Sequence, residues 1–110
     1  MVKKKMEVPE VRDFQRLGQV MEFFPARNLK ADYITLQTGE SLGAHRTLSR
    51  QEVIGVVQGI AQIVIDNEVY KLRKDQMIFI PRGKLCNLYN KNKPRLKIIF
   101  IKSKNNNFSV

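Results

Sequence analysis

Apolar and polar residues alternate with a period of two through much of the chain, the spacing of half-buried β-strands. Ala31-Asp-Tyr-Ile-Thr-Leu-Gln37 is one such segment, and Thr38-Gly39-Glu40 closes it as a turn. Glu52-Val-Ile-Gly-Val-Val-Gln58 is β-branched and apolar, Gly59 interrupts it, and Ile60 to Ile65 resumes. Asp66-Asn67, with Glu68, predicts a tight turn into Val69 to Leu72. A second turn at Lys74-Asp75 leads into Gln76 to Ile80, the Pro81-Arg-Gly83 corner, Leu85 to Tyr89, a polar loop over Asn90 to Pro94 and a last strand over Leu96 to Ile101. Short strands with turn signals every eight to twelve residues predict an all-β sandwich or barrel, and no strand–helix alternation supports an α/β fold. One segment departs from the period of two. Val11, Phe14, Leu17, Met21 and Phe24 recur every three or four residues, which predicts a short helix ended by Pro25, with a strand as the alternative.

A length of 110 residues suits one domain. We expect a loose basic segment over 1–10, a single domain over 11–104 and a frayed tail over 105–110. A hydrophobic share of 43% and only six Gly and four Pro indicate a chain that can form a core. The longest apolar runs are four residues, against the ~18 that a membrane span requires, and no apolar stretch follows Met1-Val-Lys-Lys-Lys. Neither a membrane span nor a secretory signal is expected. Cys86 is the single cysteine, so no internal disulfide forms and an intracellular setting is expected.

The net charge of +10 is unevenly spread, with no Asp or Glu from Gln76 to Val110. Arg82, Lys84, Lys91, Lys93 and Arg95 are therefore candidate contacts for an anion, an acidic protein or a DNA backbone. The alternative is a solvated basic surface.

Two motifs give the chain a family resemblance. Gly39, five residues, His45-Arg-Thr47, then Glu52 and Gly59 resemble the first cupin motif, which runs Gly, five residues, His-x-His, Glu, Gly. Asp75, five residues, Pro81-Arg-Gly83, two residues, Cys86, three residues, Asn90 resemble the second. The spacing holds throughout, while Thr47 and Cys86 stand where the family has histidines and Asp75 where it has a turn glycine. The resemblance spans roughly residues 31–101 and implies a small cupin (jelly-roll) β-barrel.

A metal-dependent cupin resembles a three-His, one-Glu site. Here His45 and Glu52 remain, with Cys86 as a third ligand for zinc in the weaker alternative. In the alternative expected first, His45 is a hydrogen-bonded loop residue, Cys86 a small buried hydrophobe and Glu52 a strand-edge acid, with no metal and no cofactor. A single histidine supports no catalytic triad, and no Gly-rich phosphate loop is present.

Several strands look apolar on both faces, so a partner is expected to cover the outer one. Met77, Phe79, Ile98, Ile99, Phe100 and Ile101 are the expected homodimer interface, with cover by the segment Val11 to Phe24 as the alternative. Gln76 to Gly83, Asn87-Leu-Tyr-Asn90 and Lys97 to Lys102 are similar to the C-terminal cupin domain of the kinetochore protein CENP-C. That resemblance implies a non-enzymatic homodimerisation module of a centromere scaffold, a nuclear location, and an acidic kinetochore or chromatin protein or DNA as a secondary partner. The alternative function is a metal-dependent or degenerate sugar-binding cupin related to isomerases or dioxygenases. A third is a ligand-sensing or nucleic-acid-binding barrel, whose binding should fall steeply with salt.

Overall fold

The computed structural model describes residues 8–16, 29–47, 51–91 and 95–103. Every regular element among them is a β-strand: β1 (Glu10–Asp13), β2 (Leu29–Leu36), β3 (His45–Arg46), β4 (Glu52–Gln58), β5 (Ala61–Ile65), β6 (Glu68–Leu72), β7 (Gln76–Ile80), β8 (Leu85–Tyr89) and β9 (Leu96–Ser103). They form a five-stranded sheet, β1-β7-β4-β9-β2, and a four-stranded sheet, β3-β8-β5-β6, with antiparallel pairing throughout. The all-β architecture expected from the strand pattern is the one observed, as two antiparallel sheets.

The turn chemistry explains the local connections. Asp66 and Asn67 both take positive φ, 48° and 74°, as the two central residues of a hairpin turn matched to strand twist require. Asp75 takes φ 70° at the position where the family motif carries glycine, and its N–H donates to the Val56 carbonyl at 2.9 Å. An aspartate tolerates this region better than most residues, so the substitution preserves the turn. Gly59 has φ 94°, and a Cβ there would lie 2.8 Å from the Arg95 carbonyl oxygen, so this position excludes any side chain.

The core lies between the sheets. Ile54, Val56, Ile78, Ile80, Leu96 and Ile98 from the larger sheet meet Ala61, Ile63, Ile65, Leu72, Cys86 and Leu88 from the smaller. A second cluster occupies the outer face of the larger sheet, where Val53, Met77, Phe79 and Ile101 pack with Phe14.

Two expectations are corrected here. Glu10–Asp13 is a strand instead of the start of a helix, because it pairs with the edge of β7 in the register Glu10↔Phe79 to Asp13↔Gln76. Long-range pairing overrides the local three-to-four spacing. Of the helix positions, Leu17, Met21 and Phe24 lie outside the described residues, as do residues 1–7 and 104–110.

The second correction concerns the expected interface. The six residues do not share a face: Ile98 points between the sheets, Met77, Phe79 and Ile101 point to the outer cluster, and Ile99 packs against that cluster. Met77, Phe79, Ile98 and Ile101 are 0–2% exposed within one chain, so they offer a second copy no surface. Phe100 is half-buried and packs against the inner core. A period of two distributes an apolar run over both faces of a sheet, which the sequence alone reads as one patch.

Phe14 anchors the outer cluster. Its ring atoms lie 3.2 Å from where a Cβ on Gly55 would stand, so the glycine on β4 makes the space that the ring fills. Phe14→Ala is expected to cost about 3 kcal/mol in urea denaturation, the usual scale for an emptied aromatic site. A loss under about 1 kcal/mol would place β1 outside the cooperative core.

Candidate functional site

Three elements bring His45, Glu52 and Cys86 together. β3 pairs with β8 so that His45 stands opposite Cys86. β4, the central strand of the other sheet, projects Glu52 inward one alternation beyond Ile54. The His45 imidazole Nε2 lies 2.9 Å from Glu52 Oε1, and the Cys86 Sγ lies 3.6 Å from the same nitrogen. Glu52 is buried, while His45 is half-buried and reaches the solvent side.

One ligating atom from each of the three residues lies within 4.8 Å of the others, the one such grouping among the described residues. Ligand atoms sharing a zinc shell stand roughly 3–4 Å apart, given bond lengths of about 2.0–2.3 Å. The imidazole, carboxylate and sulfur donor set therefore fits a three-ligand zinc site with an open position. Burial, and secondarily the charges of Glu52 and Asp66, push the Cys86 thiol up to about 12. Zinc would have to displace that proton to bind sulfur.

Thr47, in the position of the second motif histidine, has a different task. Its Oγ1 donates to the Pro81 carbonyl at 2.7 Å and accepts from Lys84 N–H at 2.9 Å, which clamps the β7–β8 corner. The buried Asn90 likewise holds the loop after β2, donating from Nδ2 to the Leu36 carbonyl at 2.9 Å while its own carbonyl accepts from Gly39 N–H at 2.7 Å. These motif residues are structural.

A cavity of about 420 Å³ adjoins His45, lined by Asp32 and Ile34 on β2, Leu42, Gly43 and Ala44 before β3, and Phe100 and Lys102 on β9. The His45 and Phe100 ring centroids are 6.1 Å apart, and the Lys102 ammonium sits 5.5 Å from the Phe100 ring centre. Asp32 and Lys102 were not among the candidates from the sequence. Their signal is the inward alternation of β2 and β9, which becomes legible only once the Asp32↔Phe100 register is known.

The candidate anion contacts are dispersed. Arg82 and Lys84 precede β8 while Lys91 and Arg95 follow it, so about 17 Å of strand separates the two groups. Lys84 also lies 3.6 Å from Asp66, and Lys93 is outside the described residues. The backbone N–H of Leu85 donates to Asp66, and this bond, aided by Lys84, holds the exposed carboxyl below its ordinary value.

The family model for the mannose-6-phosphate isomerase C-terminal domain matches residues 7–107. The chain belongs to this family. No curated protein matches it. Among solved structures, a conserved Streptococcus pyogenes protein of unknown function is 19% identical, with a TM-score of 0.65 over 94% of this chain and 80% of that one. The cupin domain of Schizosaccharomyces pombe Cnp3 is 12% identical, with a TM-score of 0.66 over 93% of this chain and 67% of that one. A salicylate 1,2-dioxygenase from Pseudoaminobacter salicylatoxidans is 20% identical, with a TM-score of 0.62 over 69% of this chain but 20% of the dioxygenase. These likenesses establish the cupin fold.

Because the folded state favours the protonated thiol, Cys86 contributes stability that is present below the ordinary thiol value of 9.0 and is lost as pH rises toward about 12. In native protein, iodoacetamide should label Cys86 far more slowly at pH 8 than it labels the urea-unfolded chain, because the thiolate is the nucleophile. Equal rates in the two states would contradict the burial described for this thiol.

Proposed function

We propose that this chain is a small-molecule-binding cupin whose His45, Glu52 and Cys86 hold a divalent metal, zinc by the character of the donors, at the edge of the cavity. The observation that carries this is the convergence of imidazole, carboxylate and thiol within 4.8 Å beside about 420 Å³ of accessible space. A bound metal would supply Lewis-acid polarisation of a ligand oxygen. Glu52 and His45, hydrogen-bonded to each other without metal, would each turn a ligand atom to it, and Phe100 with Ile34 would form the apolar wall against which a ligand packs. Membership in the isomerase C-terminal family supports a ligand-handling role. Activity of an isomerase or dioxygenase kind belongs to this reading.

A second reading is the non-enzymatic homodimerisation module implied by the resemblance to the CENP-C cupin. The observation favouring it is the position of β2, an eight-residue strand at the end of the larger sheet with Tyr33 exposed on it. Such an edge is suited to pairing with a second copy.

Zinc titration of metal-stripped protein by calorimetry, with the mass read by light scattering, separates the two. The expected result is one zinc per chain, with His45→Ala and Cys86→Ser each weakening binding by about tenfold or more. A stable dimer that takes up no zinc would replace the first reading with the second.

A further inference from the structure

We infer that the cavity beside His45 is a subsite for a small monocarboxylic acid carrying hydroxyl groups, with the ligand carboxylate on Lys102 and a hydroxyl on Asp32. The inference rests on the small-molecule reading above and names the ligand class of that site.

The residues come from one face of one strand pair. Asp32 stands opposite Phe100, and Lys102 is two residues further along β9 on the same inward side. Diagonal neighbours of this kind have side chains about 7–8 Å apart at their bases, a gap that a short polar molecule spans. Neither residue spends its charge on the other, since no ion pair joins Asp32 to Lys102 among the described residues. The ammonium lies instead against the Phe100 ring, which holds it over the apolar floor made with Ile34 and Leu42.

The charges select among ligands. Lys102 is a compact cation suited to one carboxylate, and a chain of net charge +10 favours an anionic visitor. The Asp32 carboxylate in the same cavity opposes a second negative charge, which disfavours a phosphate dianion, yet it accepts a hydrogen bond from a hydroxyl. Phe100, Ile34 and Leu42 pack the carbon backbone of the ligand. A volume of about 420 Å³ lies in the usual range for small-ligand pockets.

Four probes test this on the full chain by amide NMR titration: gluconate, sorbitol, hexanoate and glucose 6-phosphate. Gluconate is expected to bind most tightly and to move the resonances of Ile34, Gly43 and Phe100. Lys102→Met, which keeps the apolar stem, should weaken gluconate by about tenfold and leave sorbitol unchanged. Asp32→Asn should strengthen glucose 6-phosphate relative to the parent chain. The inference is overturned if hexanoate or glucose 6-phosphate equals gluconate on the parent chain, if Lys102→Met leaves gluconate affinity intact, or if no probe moves these resonances. Retained amide dispersion in each variant excludes unfolding as the cause. A zinc titration of the same sample keeps the two claims apart. Gluconate selectivity without zinc uptake removes the metal and leaves the subsite, whereas zinc uptake without selectivity removes the subsite alone.

Discussion

β4 is paired on both sides, to β7 and to β9, and everything that matters in this molecule is arranged around its alternation. Ile54 and Val56 point inward and build the layer between the sheets, while Val53 points outward into the cluster closed by Phe14. Glu52 falls on the inward side by the same alternation, where it is buried. A buried carboxylate is costly unless it is hydrogen-bonded. His45 meets that need from the opposite sheet, which is possible only because β3 is held against β8 with His45 facing Cys86. One strand thus sets the core, the outer cluster and the carboxylate that meets His45.

Much of this frame was legible in the sequence. β4, β7 and β8 occupy the residues that the alternation and turn signals predict, and the motif spacing groups His45, Glu52 and Cys86 into one set, as the structure does. The failures share a physical cause. The three-to-four spacing around Phe14 is not a helix over Glu10–Asp13, since β1 takes its conformation from hydrogen bonds to β7. The apolar run from Ile98 to Ile101 reads as one sticky surface until strand alternation divides it between the core, the outer cluster and the cavity. Asp32 and Lys102 are ordinary polar residues in the sequence, and they meet only through the β2–β9 register.

Departures from the cupin motifs also divide by physical role. Asp75 stands in the place of a turn glycine and takes a positive φ of 70°, a region Asp tolerates better than most residues, and Thr47 stands in the place of a histidine as a corner clamp. Cys86 is the departure that keeps a ligand atom within reach of His45 and Glu52 while making its use depend on losing a tightly held proton. A site so composed favours a metal with affinity for sulfur over the harder ions that a histidine and carboxylate set serves.

The most direct test of this account is zinc K-edge absorption spectroscopy on the zinc-loaded chain. The account predicts one sulfur at about 2.3 Å beside nitrogen and oxygen ligands at about 2.0–2.2 Å, with the sulfur contribution gone in Cys86→Ser. A spectrum with only light-atom ligands in the parent chain would contradict it.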